Sequence, residues 1–191
     1  LALRGDLPEG GMPAGHLPHA DSLVRLIRRW ESDRVARLAA GRLAVGVACY
    51  PNGHAESATP DEDIDVLLAK QRLGADFAIT QLFFDAEDYV RFAQRARLAG
   101  VRIPLIPGIM PMTSRARVER MCQLSGLDGP TKVLDQLAAA TSPEEEKEIG
   151  MQITASLAKS VMNAGADGLH IYTHNNPDIT TDLLNRIGVI P

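Results

Sequence analysis

Two polar side chains, Thr80 and Gln81, interrupt a short apolar run that extends from Phe77 to Phe84. The run follows Leu-Gly-Ala, which is typical of a helix end, and precedes an amphipathic segment, so it predicts a buried parallel strand ending in a loop. In β/α barrels, polar residues at the carboxyl end of a strand point at the active site. A buried amide needs a hydrogen-bond partner. We therefore interpret Gln81 as a residue that contacts a ligand; a glutamine that is hydrogen-bonded within the core is the alternative.

The same unit of strand and helix recurs along the chain. Further strands are predicted over residues 43–50, 103–111 and 168–175, and a strand exit over 1–6. Helices are predicted over residues 20–40, 61–73, 86–99, 114–124 and 142–164. Strands that alternate with helices at this spacing pair in parallel through right-handed crossovers. The sequence thus predicts an α/β fold that forms a single domain over residues 1–191.

The composition is that of an ordinary globular protein of 191 residues, 45% hydrophobic and 23% charged. A net charge of −4 gives no reason to expect nucleic acid or a membrane surface as partner. Five arginines between residues 25 and 37 predict a solvated helix face, with a polyanion patch as the alternative.

The two cysteines, Cys49 and Cys122, are too few and too far apart for a disulfide framework or a zinc site. This usage favours a reducing cytoplasm and no metal. The chain contains neither an apolar run of membrane-spanning length nor a signal peptide.

The chain opens with Leu1 instead of Met, and its first six residues already resemble a strand exit. A β/α barrel of eight strands takes roughly 250 residues, whereas only five strands are readable here. We expect the sequence to begin partway through such a fold, with about three βα units upstream.

Five motifs occur in order and with suitable gaps: Leu3-Arg-Gly-Asp6, Tyr50-Pro-Asn-Gly-His54, Ala78-Ile-Thr-Gln-Leu-Phe-Phe-Asp85, Ile106-Pro-Gly-Ile-Met-Pro111 and His170-Ile-Tyr-Thr173. Together they closely resemble the methylenetetrahydrofolate reductase family, from residue 1 to the C-terminus. The resemblance implies a TIM-type (β/α)8 barrel, of which about the last five βα units are present. It also implies an oxidoreductase that holds FAD and takes hydride from NADH or NADPH. The expected reaction reduces 5,10-methylenetetrahydrofolate to 5-methyltetrahydrofolate in one-carbon metabolism and methionine biosynthesis.

By this resemblance Asp6 lies beside the pyrimidine edge of the flavin, where a carboxylate disfavours the anionic reduced form and so tunes its potential. Gly5 lets the backbone approach the ring. From the residues alone, a helix N-cap or a loop-ordering carboxylate explains Asp6 equally well. The other implied cofactor residues are Arg4, Ala20, Tyr50, His54, Ser57, Asp63, Val66 and Lys70.

The resemblance implies that Tyr50 offers an aromatic face to the cofactor. It also implies that His54 donates a hydrogen bond to the phosphate or ribityl region of the cofactor. It further implies that Asp63 binds the ribose hydroxyls of the cofactor and that Lys70 binds its pyrophosphate. Asp63, Val66 and Lys70 are spaced to share one helical face. The alternative for Asp63 and Lys70 is a surface ion pair, worth under about 1 kcal/mol.

For the substrate, the resemblance implies that the Gln81 amide forms hydrogen bonds with the edge of the pterin that carries donors and acceptors. In that family both substrates use one flavin face in turn. Met121 stands where many members have an aromatic residue against the benzoyl group. Arg117 either meets the carboxylate of the glutamate tail or is solvated. Asn176, with His174 nearby, replaces an arginine that assists substrate binding in many members.

Opening the substrate's five-membered ring requires an acid that protonates the departing nitrogen. In the family this acid is a glutamate on the first barrel strand, and Glu56, Glu87 and Glu119 do not match its motif. We expect the chain as given to be catalytically incomplete. A flavin-independent folate reductase and a non-catalytic barrel fragment that only binds cofactor are the alternatives. The oligomeric state is left open, and a homo-oligomer is compatible with the sequence.

Overall fold

A computed structural model gives the structure of residues 1–5, 9–38 and 41–189. The strands are β1 Gly46–Cys49, β2 Phe77–Thr80, β3 Leu105–Ile106, β4 Gly108–Ile109 and β5 His170–Ile171. The helices are α1 Ala20–Ser32, α2 Pro60–Arg72, α3 Ala86–Ala99, α4 Arg115–Ser125, α5 Thr131–Ala138, α6 Pro143–Asn163 and α7 Pro177–Ile187. A short 3₁₀ turn, Val35–Leu38, follows α1. In the described part of the chain, every helix is too short or too polar to cross a membrane.

All the strand pairs are parallel, which confirms the predicted α/β arrangement. One sheet has the order β1-β2-β3, and β4 pairs with β5 in a second. Ala2 forms a parallel bridge to Val47, so the predicted strand exit does lie beside β1. Between β3 and β4 lies Pro107, which lacks an N–H for the ladder. The segment changes partner there, from β2 to β5.

Side-chain caps and glycines set most helix ends. Thr59, Asp85 and Ser114 each accept a hydrogen bond from a backbone N–H in the first turn of the helix that follows. Gly100 and Gly126 end α3 and α4 in the left-handed conformation that lacks a steric penalty only for glycine. Because these signals lie within a few residues of each boundary, the predicted bounds of α3 and α4 agree with the structure to within one residue.

The predicted helix over 20–40 is too long. It ends at Ser32, whose hydroxyl donates to the carbonyl of Arg29 at 2.8 Å and so competes with the helical pattern. Residues 39 and 40 lie outside the described ranges. The predicted strands are also longer than those observed, and α5 and α7 were not predicted.

Arg28 does not belong to a solvated face, which corrects the prediction for the arginines of α1. Its guanidinium donates to the Gly74 carbonyl at 2.6 and 2.9 Å and pairs with Glu31 and Asp76. Asp76 also accepts from the N–H of Val45 at 2.7 Å. The hydrogen bond from Arg28 lowers the pKa of Glu31. This cluster ties α1 to the amino ends of the strands, opposite the end that carries the candidate site.

Helix α6 packs unusually closely behind the segment that follows β4. A Cβ atom on Gly150 would lie 1.6 Å from the carbonyl oxygen of Met112. The Thr154 hydroxyl bridges the two elements, because it donates to the Gly150 carbonyl at 2.7 Å and accepts from the Met112 N–H at 3.0 Å. Met112 and Thr154 are fully buried. The close approach depends on the missing side chain at position 150.

Candidate functional site

The loop after β1 places Tyr50 and His54 at the carboxyl end of the sheet. Their rings meet edge to face, with centroids 4.5 Å apart. Asp63 accepts from the His54 N–H at 3.1 Å and from the Ser57 hydroxyl at 2.8 Å. Asp63 is only 9% exposed, and its two hydrogen bonds order the loop that carries His54.

His54 retains one ring nitrogen for a ligand. Its Nδ1 accepts from the backbone N–H of Glu56 at 3.1 Å, so the neutral ring carries its proton on Nε2. Arg4 pairs with Glu56 through two hydrogen bonds of 2.8 and 3.0 Å, which lowers the pKa of the Glu56 carboxyl. This pair joins residues 1–5 to the His54 loop. Gly5 has φ +80°, and no atom lies within 4 Å of a Cβ built there.

Asp6 lies outside the described residues, so its place beside a flavin stays a prediction. Ala20 begins α1 and is half-buried. Its assigned cofactor contact also stays a prediction.

Lys70 is buried beneath β1 and is 8% exposed. Its ammonium donates to the Ala48 carbonyl at 3.0 Å, and burial lowers its pKa. Asp63 is equally enclosed, so the alternative of a surface ion pair between these two residues is wrong. Val66 is 43% exposed and does not share their environment.

A cleft of about 940 Å³ opens beside the His54 loop. The loops after β1 and β2 line one side of it, and α5 and α6 line the other. His54, Ser57 and Asp63 contribute to its wall. Sequence analysis missed the part of the lining that α5 supplies, because α5 was not predicted. Its further polar lining includes Asp85, Asp88, Asp128, Lys132, Ser156 and Ser160.

Gln81 follows β2 and is half-buried. Its backbone N–H donates to the Cys49 carbonyl at 2.8 Å, and its side-chain carbonyl accepts from the N–H of Leu82 at 2.9 Å. Within the described ranges its side-chain NH₂ has no hydrogen-bond acceptor. The geometry therefore leaves two amide hydrogens for a ligand and differs from that of a glutamine satisfied within the core.

Thr80, Gly108 and Tyr172 form an anchor under Gln81 that sequence analysis missed. The fully buried Thr80 accepts from the Gly108 N–H at 2.8 Å through its hydroxyl and from the Tyr172 hydroxyl at 3.0 Å through its carbonyl. A Cβ on Gly108 would lie 2.5 Å from that carbonyl and 2.7 Å from the tyrosine ring. The anchor joins the carboxyl end of β2 and the residue after β5 to the first residue of β4. All three residues lie in the quoted motifs, but 92 positions separate Thr80 from Tyr172.

Arg117 and Met121 lie on one face of α4, four residues apart. Met121 is half-buried and packs against the hydrophobic core. Burial and the charge of Arg117 lower the pKa of His174. Asn176 caps α7, because its side-chain oxygen accepts from the Ile179 N–H at 3.1 Å. Its substrate role stays a prediction.

The aromatic pair after Gln81 is divided between the core and the cleft. Phe83 is 2% exposed and stacks on Tyr89 with ring centroids 5.8 Å apart, so it packs in the core. Phe84 is half-buried and lines the cleft. Glu119 pairs with Arg115 on the surface, and Glu87 lies exposed in the first turn of α3.

The described residues thus form an α/β protein with parallel strands, and polar groups of its candidate site follow the carboxyl ends of β1 and β2. The family model for methylenetetrahydrofolate reductase matches residues 1–188, and the chain belongs to that family. The resemblance inferred from the five motifs is confirmed.

Relatives in yeast and bacteria agree with this assignment. The chain is 32% identical over 199 residues to methylenetetrahydrofolate reductase 2 of Saccharomyces cerevisiae, covering 100% of this chain and 32% of the yeast protein. It is also 32% identical over 195 residues to the 5,10-methylenetetrahydrofolate reductase of Pectobacterium carotovorum, covering 100% of this chain and 60% of that protein. The chain therefore spans less than two thirds of these relatives.

A solved structure shares the fold. It is a Clostridium thermocellum protein described as binding two copies of 5-methyl-5,6,7,8-tetrahydrofolic acid. The TM-score is 0.57 at 14% identity, over 93% of this chain and 60% of that one.

Proposed function

We propose that this chain forms the later part of a (β/α)8 barrel in a flavin-dependent reductase. The reaction would reduce 5,10-methylenetetrahydrofolate to 5-methyltetrahydrofolate with NADH or NADPH as the hydride donor. The observation that carries the proposal is the pair of neighbouring groups at the sheet edge. One is the His54 loop, whose Nε2 has no hydrogen-bond partner among the described residues, and the other is the Gln81 amide above the Thr80 anchor.

The residues present fit a flavin dinucleotide. His54 offers an N–H donor, and Lys70 has three ammonium hydrogens and one carbonyl partner at 3.0 Å. When bound, the flavin would accept hydride from the nicotinamide and pass it to the folate. The chain's own residues orient the two ligands. His54 and Lys70 would hold phosphate oxygens, and the Gln81 NH₂ would donate to an acceptor of the pterin.

One observation favours the flavin-independent alternative. The Asp63 carboxylate and the Lys70 ammonium, both assigned to the cofactor, already have partners within the protein. A visible absorption spectrum of the purified full-length protein separates the two functions. We expect yellow protein whose colour bleaches with NADH or NADPH and returns with 5,10-methylenetetrahydrofolate. Colourless protein that still couples nicotinamide oxidation to folate reduction would establish the alternative. Yellow protein whose colour changes with neither the nicotinamide nor the folate would indicate a non-catalytic barrel that only binds cofactor. A cytoplasmic location and a homo-oligomer remain predictions.

Replacing Lys70 with methionine should weaken flavin retention, because it removes a buried positive charge beneath the His54 loop while keeping most of the side-chain volume. Asp63→Asn should act in the same direction, since the two loop hydrogen bonds go to different carboxylate oxygens and asparagine replaces one of these acceptors with an NH₂ group. The measurement is flavin per chain after dialysis.

Lys159→Met is the matched control, because Lys159 is an exposed lysine on α6 outside the cleft lining. Thermal unfolding of each flavin-free variant separates a loss of cofactor contact from a loss of stability. Flavin content equal to the control in both Lys70 and Asp63 variants would refute their assignment to the cofactor.

A further inference from the structure

The loop that carries His54 contains the dipeptide Asn52-Gly53. Asn52 is exposed, lies in the turn that follows β1 and lines the cleft. Among the described residues, no hydrogen bond holds its side-chain amide. The amide can therefore rotate towards the backbone nitrogen of Gly53.

The Gly53 nitrogen is accessible to that amide. Gly53 has no side chain, and its φ of +88° belongs to a region that other residues rarely adopt. Its N–H donates to the Tyr50 carbonyl at 3.2 Å, which is at the long end of the range for this type of hydrogen bond. Neither a side chain at position 53 nor a short hydrogen bond thus shields the nitrogen.

The other four asparagines of the sequence lack this combination of features. Asn163 and Asn185 lie within helices α6 and α7, which fix the backbone around them. Asn175 precedes Asn176, whose side chain caps α7. Asn176 precedes Pro177, whose nitrogen carries no hydrogen. Asn52 is therefore the asparagine whose side chain and following nitrogen can react most readily.

We propose that Asn52 is a site of spontaneous deamidation that limits how long the protein retains its flavin. The inference rests on the proposed function, because that function makes the flavin the ligand of the neighbouring His54. Asparagine is among the thermolabile residues of proteins. The Gly53 nitrogen attacks Cγ of Asn52, the new N–C bond closes a five-membered imide, and ammonia leaves with the proton of the Gly53 N–H. Water then opens the imide at either carbonyl, which yields aspartate or isoaspartate at position 52.

The product alters the loop in two ways. It adds a negative charge two residues from His54, whose Nε2–H would hold a phosphate oxygen of the cofactor. This charge arises near the carboxylate of Asp63, since a Cβ built on Gly53 would lie 3.7 Å from Oδ2 of Asp63. Asp63 orders the same loop through its hydrogen bonds to His54 and Ser57. Isoaspartate also inserts a methylene group into the main chain ahead of His54.

The full-length protein is tested by prolonged incubation in neutral buffer, followed by peptide mass analysis and a measurement of flavin affinity. We expect the peptide that contains residue 52 to gain the mass of an exchange of NH₂ for OH. Flavin binding by the converted protein should weaken about threefold to tenfold, as one unfavourable charge pair near the surface predicts. Freshly prepared Asn52→Asp protein should show the same weakening.

Two variants provide the controls. Asn52→Gln retains an amide, but its longer side chain closes a six-membered imide much more slowly, so this variant should keep its flavin during incubation. Asn163→Asp adds the same charge at an exposed position of α6 outside the cleft lining, and it should leave flavin affinity unchanged.

Conversion at Asn52 that does not exceed the conversion at Asn163 would overturn the proposal. Fresh Asn52→Asp protein that binds flavin as tightly as the wild type would also overturn it and would leave the flavin-dependent function intact. Fresh wild-type protein that is folded and binds no flavin would overturn the proposal together with that function.

Discussion

If the proposed function holds, we expect replacement of Gln81 by alanine to slow the folate half-reaction about tenfold to a hundredfold and to leave the nicotinamide half-reaction nearly unchanged. The magnitude follows from losing hydrogen bonds to a buried ligand edge, which costs on the order of 1–3 kcal/mol. The side-chain NH₂ of Gln81 has no acceptor among the described residues, so its donors are available to the pterin. The Thr80 anchor holds the backbone next to it, and truncation should leave that anchor in place.

The two half-reactions are measured separately, as bleaching of the flavin by NADH or NADPH and as its recovery with folate. Gln94→Ala is the matched control, because Gln94 is exposed on α3. Asp6→Asn should change both rates, since the resemblance places a charge next to the flavin there. Equal slowing of both steps by Gln81→Ala would mean that Gln81 supports the sheet edge and does not bind the folate.

Replacing Gly150 with alanine lowers the free energy of unfolding by about 3 kcal/mol, at the upper end of the usual cost of overpacking. The added Cβ would lie 1.6 Å from the Met112 carbonyl oxygen, a backbone atom that can move only if α6 or the segment after β4 moves. On an open helix the same replacement stabilises by about 1 kcal/mol, so the sign of the effect is diagnostic. The measurement is equilibrium unfolding in urea.

Gly168→Ala provides the control for this prediction. A Cβ at position 168 would meet its nearest atom, Cδ1 of Ile106, at 3.7 Å, which is ordinary van der Waals contact. We expect a change of under about 1 kcal/mol, as for most sites outside such close contacts. A Gly150→Ala variant that is as stable as the wild type would show that α6 can withdraw from Met112 without cost.

Helix boundaries show how far local signals reach. The capping residues of α3 and α4 predicted both helices to within one residue. Helix α7 carries equally complete signals, with Asn176 as cap, Pro177 at the first position and Gly188 at the end, so it was predictable. Helix α5 has no side-chain cap and only eight residues, and short helices depend on tertiary packing for their stability.

The sequence by itself determined the alternation of parallel strands and helices, the place of Gln81 at a strand end and the family. These properties are encoded in periodicity, in caps and in motifs that each extend over only a few residues. Only the tertiary structure decided that Lys70 is buried under Ala48 and that Thr80 is held by Tyr172. Each of these contacts joins residues 22 to 92 positions apart or from different elements, and the direction of a side chain across that separation is set by how the helices and the sheet pack together.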